Sequence, residues 1–170
     1  MLVAHRQAKD RACHSCAMCC YLLDIPELEK PHDVWCKDCR PGKKACTIYK
    51  HRPKVCQDFR CLWLEGWAPD FMQPQQSRMV MFGAVERGTP CLKVVVDARK
   101  SNRWREVPYW GYLRQTSLWG LRQTPKRLVV VFVGQSKFLV LGDNVVENPP
   151  DGGYLAQKGL DDWAFVVEYP

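Results

Sequence analysis

The sequence predicts an α+β protein in which an irregular, cysteine-rich amino-terminal region packs on an antiparallel β-sheet with a helix. Three observations support this fold class. Nine of the ten cysteines lie between Cys13 and Cys61. That stretch shows little hydrophobic periodicity, whereas the chain beyond it carries two hairpin patterns and one helical repeat. Because the composition changes at Ala68, we divide the chain into regions 1–67 and 68–170.

The first region, 1–67, has few features from which regular structure could form. Several residues that interrupt helices and strands are spread along it: Pro26, Pro31, Pro41, Gly42 and Pro53. We expect only a short helix or turn at 28–35 and another at 47–51. Ordering such a segment costs roughly 1 to 2 kcal/mol per residue, and its few regular apolar positions offset little of that cost. The region therefore requires another source of stability.

The second region, 68–170, carries the patterns of two β-hairpins and a helix. The paired strand segments are 78–86 with 92–97, around a turn at 87–90, and 126–133 with 137–141, around a turn at 134–136. Between the hairpins, five residues recur at helical spacing: Val107, Trp110, Arg114, Leu118 and Leu121. Pro108 suits the first turn of that helix. A last strand is expected at 163–169, and the helix should pack on the sheet.

The cysteines have the spacing of metal ligands. A Cys-x-x-Cys turn brings two sulfurs near one point and lets the intervening amides hydrogen-bond to the thiolates. This spacing occurs at 13–16, 16–19 and 36–39. Adjacent Cys19 and Cys20 do not easily share one ion, so we expect them to face different metals or different irons of one cluster. The predicted ligands are Cys13, Cys16, Cys19, Cys20, Cys36, Cys39, Cys46, Cys56 and Cys61.

The number of sulfurs admits several kinds of metal centre. Nine suffice for two four-cysteine sites with one spare, for a bridged zinc cluster, or for one or two iron–sulfur clusters. We favour Zn²⁺ because it is the common structural ion of small domains, where a site contributes on the order of 10 kcal/mol. An iron–sulfur cluster is the alternative, since contiguous CxxCxxC runs wrap such clusters. In either case metal would staple the first region.

Disulfides are the other possible use of ten cysteines, an even number. The first twenty residues carry several charges and no apolar core of a signal peptide, so we expect a cytoplasmic protein with reduced thiols. Adjacent cysteines also pair with each other only under strain. Even the most hydrophobic run, 128–133, is too short to span a bilayer, and no membrane partner is expected.

The formal charge of +7 could indicate a nucleic-acid partner. In the first region, however, twelve Lys and Arg accompany eight Asp and Glu, and nine thiolates with two divalent ions would bring the charge to about −1. Further along, Trp104, Trp110 and Trp119 lie among basic residues, as in single-strand binding surfaces and in half-buried helix edges. We favour the helix edge, and we expect a protein rather than a nucleic acid as the partner.

Two cysteine motifs occur together and in order. The first is Cys13-x-x-Cys16-x-x-Cys19-Cys20, and the second, from Cys46 to Cys61, reads C-x-I-Y-x-x-R-P-x-x-C-x-x-F-x-C. Together they resemble the family of zinc- or iron-chelating domains named for its CxxCxxCC motif, whose members are mostly small bacterial proteins. Related motifs occur in flagellin lysine methylases in association with an iron–sulfur cluster. Nothing after Trp67 resembles the cofactor-binding part of those enzymes.

Other residues of the second motif are expected to support the metal ligands. Arg52 can donate hydrogen bonds to carbonyls or thiolates, and Pro53 fixes the backbone direction before Cys56. Tyr49 and Phe59 are expected to pack over the metal core and exclude water.

No independent enzyme activity is predicted. The sequence has no Ser-His-Asp arrangement with local context and no glycine-rich phosphate loop. His14 and His51 lie within the motifs as alternative ligands, and Cys91 is expected to be a small buried hydrophobe. One hypothesis is a structural metal module that docks a protein; another is an iron–sulfur protein serving electron transfer or a partner enzyme. Metal storage is a third, and it would require exchangeable ions.

Overall fold

The amino-terminal part of the chain folds into short elements. A computed structural model describes residues 11–13, 16–40 and 44–167. The first elements are helix α1 (Met18–Leu22), strands β1 (Cys39–Arg40) and β2 (Lys44–Cys46), and helices α2 (Lys54–Asp58) and α3 (Pro74–Ser77). Strands β1 and β2 pair antiparallel. None of these elements is longer than five residues, in agreement with the breakers in the sequence.

The two short elements expected in this part are both turn-like. The stretch 28–35 begins at the end of a 3-10 helix, Pro26–Leu28, and continues through turns. The stretch 47–51 ends in a second 3-10 helix, Tyr49–His51. Pro53 then precedes the first residue of α2, where a missing N–H costs no helical hydrogen bond.

A five-stranded sheet forms the centre of the protein. Its strands, in their spatial order, are β3 (Met79–Glu86), β4 (Thr89–Val96), β5 (Leu128–Val133), β6 (Ser136–Leu141) and β7 (Asn144–Glu147). The predicted hairpins correspond to β3 with β4 and to β5 with β6, and both are confirmed. Gly88 and Gly134 lie in their turns with positive φ, a conformation that glycine adopts without steric cost.

The sheet is mixed, which corrects the expectation of a wholly antiparallel one. Strands β4 and β5 run parallel, with Cys91 opposite Leu128 and Val96 opposite Val133. Helix α4 (Tyr109–Leu121) lies in the connection between these two strands. A crossover helix carries the chain back to the end of the sheet at which the previous strand began, so the next strand runs in the same direction. The α+β class itself is confirmed.

Helix α4 buries one side against the sheet. Leu113 and Leu121 are almost fully buried, and Leu118 is buried beside them. Val107 was expected to belong to the same apolar repeat, but it precedes the helix and is 90 % exposed. Pro108 directly precedes the first helical residue.

Alternate residues of the strands face two different cores. On one face a cluster forms with α4 and the buried Trp104: Met79, Met81, Val94, Val96, Val129, Val131 and Val140. On the other face, Val80 and Phe82 pack against α1. Farther along that second face, Val130 and Leu139 pack against Trp163.

A two-stranded ribbon completes the second face of the sheet. It consists of β8 (Tyr154–Gln157) and β9 (Trp163–Val166), paired antiparallel. Strand β9 lies within the expected 163–169 segment, of which residues 168–169 fall outside the described residues. Strands β7 and β8 were not predicted. Among the described helices, none has both the length and the apolar character required to cross a bilayer.

Candidate metal centre

Eight of the nine predicted ligands line a single cavity of about 270 Å³. These eight are Cys13, Cys16, Cys19, Cys20, Cys36, Cys46, Cys56 and Cys61. The ninth, Cys39, is buried beside the cavity and packs with Cys20 and Cys36. All are free thiols, as is Cys91, which is buried in the core on the far part of the sheet. The fold therefore brings together residues that the sequence separates by almost fifty positions.

Four of the cysteines form what we term the first thiol group: Cys13, Cys16, Cys19 and Cys61. The amide of Cys16 donates to the carbonyl of Cys13 at 2.7 Å and closes the first Cys-x-x-Cys turn. Cys19 follows in α1, and both Cys16 and Cys61 pack on the cluster formed by that helix. Burial raises the pKa of the Cys61 thiol to about 11, and the charges of the other three members add to the rise.

Four others form the second thiol group: Cys20, Cys36, Cys39 and Cys46. The pairing of β1 with β2 places Cys39 opposite Cys46. The amide of Cys39 donates to the carbonyl of Cys36 at 3.0 Å, which closes the second Cys-x-x-Cys turn. The amide of Cys36 in turn donates to the carbonyl of Cys20 at 2.9 Å. Three backbone contacts thus hold these four residues together.

Helix α1 contributes one thiol to each group. The thiols of Cys19 and Cys20 hydrogen-bond to each other, and this contact, together with burial, raises the pKa of Cys19 well above its usual value. Cys56 projects from α2 between the groups. Burial raises its pKa, and the further rise comes from Cys19 of the first group and from Cys36 and Cys46 of the second.

The thiols surround a space and do not converge on a point. Among the residues that the structure describes, no set of three or more Cys, His, Asp or Glu side chains is arranged to hold a single ion. Burial is the first cause of a raised pKa for six thiols: Cys13, Cys16, Cys39, Cys46, Cys56 and Cys61. Neutral thiols pack as small apolar groups, which matches their arrangement along the cavity wall.

The rest of the wall is largely apolar. Leu23, Ile25 and Val80 contribute to it. Phe59 and Phe82 also line it and pack edge to face, with ring centroids 5.5 Å apart. The expectation that Phe59 lies over the core therefore agrees with its place in the wall.

Besides the thiols, the polar residues of the wall are Arg52, Tyr49 and the exposed Asp24. The Arg52 guanidinium lies 3.9 Å from the centre of the Tyr49 ring, and its Nε donates to the Tyr49 carbonyl at 3.0 Å. Tyr49 lines the cavity but remains half exposed, so it covers the thiols only on one side. His51 is exposed, and His14 lies outside the described residues.

Two basic residues near the thiols were not singled out from the sequence. Lys30 is buried, and its ammonium donates to the carbonyls of Tyr21 at 3.0 Å and Pro31 at 2.7 Å, and to that of Leu23. Burial lowers the pKa of Lys30, whereas the nearby Cys36 and Cys20 oppose that change. No sequence pattern marks this residue, because its acceptors are backbone carbonyls.

Arg11 connects the two ends of the first thiol group. Its guanidinium donates to the carbonyls of Trp63 and Ala68, both at 2.7 Å, and pairs with Asp70. Arg11 lies two residues before Cys13, and its acceptors follow Cys61. The contact therefore fixes the entry of the chain into the cavity relative to its exit.

Comparisons with protein-family models, with curated proteins and with solved structures find no match for this chain. The resemblance to the CxxCxxCC family accordingly rests on the two cysteine motifs and stays a hypothesis.

Proposed function

We propose that this protein is an iron–sulfur protein whose cysteine-lined cavity holds the metal centre. The single observation that carries the proposal is a cavity of about 270 Å³ whose wall contains eight of the nine cysteines. Four sulfurs at about 2.3 Å from one zinc ion leave no such space between them, whereas iron–sulfur clusters, which contain several irons and inorganic sulfides, require space between their cysteine ligands.

The chemistry of the wall supports the same group. Thiolates are the ligands that iron–sulfur clusters require, and each cysteine binds an iron at a different corner of the cluster. Side chains spread around a cavity suit that arrangement. The apolar residues of the wall exclude water from the thiolates, and Lys30 and Arg52 bring positive charge toward an anionic centre.

The chain's own residues then have two functions. The cysteines tie α1, β1, β2 and α2 to one another, which stabilises a region with few regular apolar positions. An iron–sulfur cluster, when bound, supplies one-electron transfer. The half-exposed Tyr49 and the adjacent Arg52 form one solvent-accessible part of the wall, where a protein partner would approach.

Anaerobic purification followed by elemental analysis tests the proposal. We expect iron and acid-labile sulfide in equal amounts and a brown protein with broad visible absorption. The matched control is Cys91→Ala, which removes a thiol outside the cavity and should leave the iron content unchanged. Stoichiometric zinc without sulfide would refute the iron–sulfur proposal and support the zinc site that the sequence favours. Metal-free protein, or sulfurs bonded to one another, would refute any metal function.

A further inference from the structure

We propose that the cavity holds two separate metal centres, one ligated by the first thiol group and one by the second, with Cys56 required by neither. This inference rests on the proposed metal function and adds to it the number of centres and the ligands of each. It assigns the adjacent Cys19 and Cys20 to different centres.

The first thiol group is complete without the second. Its Cys13-x-x-Cys16 turn is closed by its own hydrogen bond, and α1 carries Cys19 directly after it. Cys61 reaches the same place from the far end of the region, because the neighbouring amide of Leu62 donates to the carbonyl of Met81 on β3 at 2.9 Å. Four thiols is the number that one cubane cluster takes.

The second thiol group is built on different elements. The β1–β2 pair holds Cys39 against Cys46, and the Cys36-x-x-Cys39 turn adds a third thiol. Only Cys20 comes from α1, and its carbonyl accepts the amide of Cys36. Neither β1 nor β2 contributes to the first group, so each set of four has its own scaffold apart from the shared helix.

The shared helix separates the two centres by direction. Successive residues of an α-helix point about 100° apart, since 3.6 residues complete a turn. Cys19 and Cys20 therefore leave the helix in different directions, although their thiols remain in contact with each other. Around the helix, Cys20 packs with the buried Cys36 and Cys39, whereas Cys16 and Cys61 pack on the cluster that the apolar residues of α1 form with β3. This packing follows the same division as the backbone contacts.

Cys56 lies outside both sets. It comes from α2, an element that carries no other cysteine, and the charges of both groups raise its pKa. With four thiols in each group, eight are used, and Cys56 is the ninth. It lines the cavity as a partly buried thiol that faces both centres.

Paired substitutions in the full chain test this division. We expect Cys13→Ala with Cys16→Ala to lose half of the iron, and Cys36→Ala with Cys39→Ala to lose the other half. Cys56→Ala should keep all of it, as should the Cys91→Ala control. Wild-type protein should contain about eight irons if both clusters are [4Fe–4S]. In the reduced protein, two neighbouring clusters should broaden each other's electron paramagnetic resonance signal, and each paired variant should show one narrow signal.

The outcomes separate this inference from the function on which it rests. If wild-type protein contains one cluster, or if either paired variant loses all iron while the far-ultraviolet spectrum of the sheet persists, there is a single centre and the division is wrong. Loss of half the iron in Cys56→Ala would make Cys56 a ligand and would also overturn it. Because the wild-type iron count needs no variant, the inference stays testable if a variant does not fold. Absence of any metal would refute the proposed function itself.

Discussion

The amino-terminal cysteine region and the β-sheet region are held together by different interactions. In the sheet region, alternate strand residues such as Val94 and Val131 are fully buried against α4 and Trp104. In the cysteine region the helices have at most five residues, and the buried groups include the ammonium of Lys30 on backbone carbonyls. The sheet region is thus stabilised by apolar side chains that its own sequence pattern buries. The cysteine region is proposed to depend on a bound metal group.

The two regions meet at a defined joint. Val80 and Phe82 of β3 pack against α1, and Tyr21 of α1 stacks on Trp35 with ring centroids 4.8 Å apart. The Arg99 guanidinium also lies 4.4 Å from the centre of the Tyr21 ring. Arg99 is held by the buried carboxylate of Asp97, so an ion pair of the sheet region supports an aromatic contact of the cysteine region.

Removal of metal should have the largest effect, and only on one region. If metal supplies on the order of 10 kcal/mol, as structural sites do, its chelation should unfold the cysteine region. The amide of Leu22 should lose its protection against hydrogen exchange, whereas that of Val94 should keep it. Exchange followed by mass spectrometry or NMR, before and after anaerobic chelation, measures both. Equal protection of Leu22 in the two states would show that the regions do not differ in this way.

Asp97→Ala should be the most damaging single change at the joint. The carboxylate is fully buried and accepts hydrogen bonds from Arg78 and Arg99. Burial alone would raise its pKa, but these two guanidinium groups outweigh burial and hold the pKa below its usual value. Asp97→Ala removes hydrogen bonds between charged groups, while the partly exposed arginines regain water, so we expect a loss of about 1.5 to 3 kcal/mol, measurable by urea unfolding.

The exposed pair of Asp143 with Arg114 provides the control for Asp97. Asp143→Ala removes the same kind of pair at the surface, where water screens the charges, and should barely change the urea midpoint. If both variants were equally stable, the buried pair at the joint would contribute no more than a surface one.

Gly120→Ala should destabilise the sheet region without loss of metal. A Cβ at Gly120 would overlap the backbone carbonyl of Arg127, which cannot move without shifting the chain before β5. We expect a cost of roughly 1 to 3 kcal/mol. Gly111→Ala in the same helix meets nothing nearby and should stabilise by up to about 1 kcal/mol. Thermal unfolding and iron content, measured together, show whether the effect stays within the sheet region.

The smallest expected effect is the loss, at acidic pH, of the stability that Glu86 contributes. Its carboxylate accepts from Lys137 at 2.8 Å and pairs with Lys93 at 2.9 Å, and these contacts lower its pKa to about 2. Because the folded pKa is depressed, the contribution is present above pH 4.5 and is lost as the pH falls toward 2. The partly exposed group should contribute about 1 kcal/mol.

The difference between wild type and Glu86→Gln isolates that contribution. Loss of metal in acid affects both proteins and cancels in the difference. Urea midpoints of the two proteins, recorded at steps of about one pH unit between roughly pH 2 and pH 6, should converge at the acid end. A difference that did not vary with pH would assign the effect of the substitution to packing.

Hairpins and the helix were predictable because their patterns are local. The strands β3 to β6 are short runs rich in apolar residues, the helix α4 repeats such residues at helical spacing, and a glycine lies in each hairpin turn. The parallel pairing of β4 with β5 was missed because it depends on where the crossover returns. Strands β7 and β8 have four residues each, too few for a period to stand out.

The cysteines of the candidate site were predictable from the sequence, whereas the basic residues that support them were not. Cysteine spacing marked all nine thiols, and eight of them line the cavity. The backbone partners of Lys30 and Arg11 carry no side-chain signature, since any residue offers a carbonyl. Cysteine spacing alone does not predict the proposed division of the thiols into two groups, because that division depends on the pairing of Cys39 with Cys46 across β1 and β2.

Helix α1 carries thiols on one side and sheet-packing residues on the other. Cys19 and Cys20 line the cavity, whereas Met18, Tyr21 and Leu22 pack toward Val80. Because α1 has only five residues, any rotation of the helix that moves the two sulfurs must also move its apolar side chains relative to the sheet. If the thiols bind metal as proposed, metal affinity and the docking of α1 onto the sheet are reciprocally linked, so Val80→Ala, which removes no metal ligand, should weaken metal retention. The hydrophobic face of a strand would thereby help to tune the proposed inorganic centre.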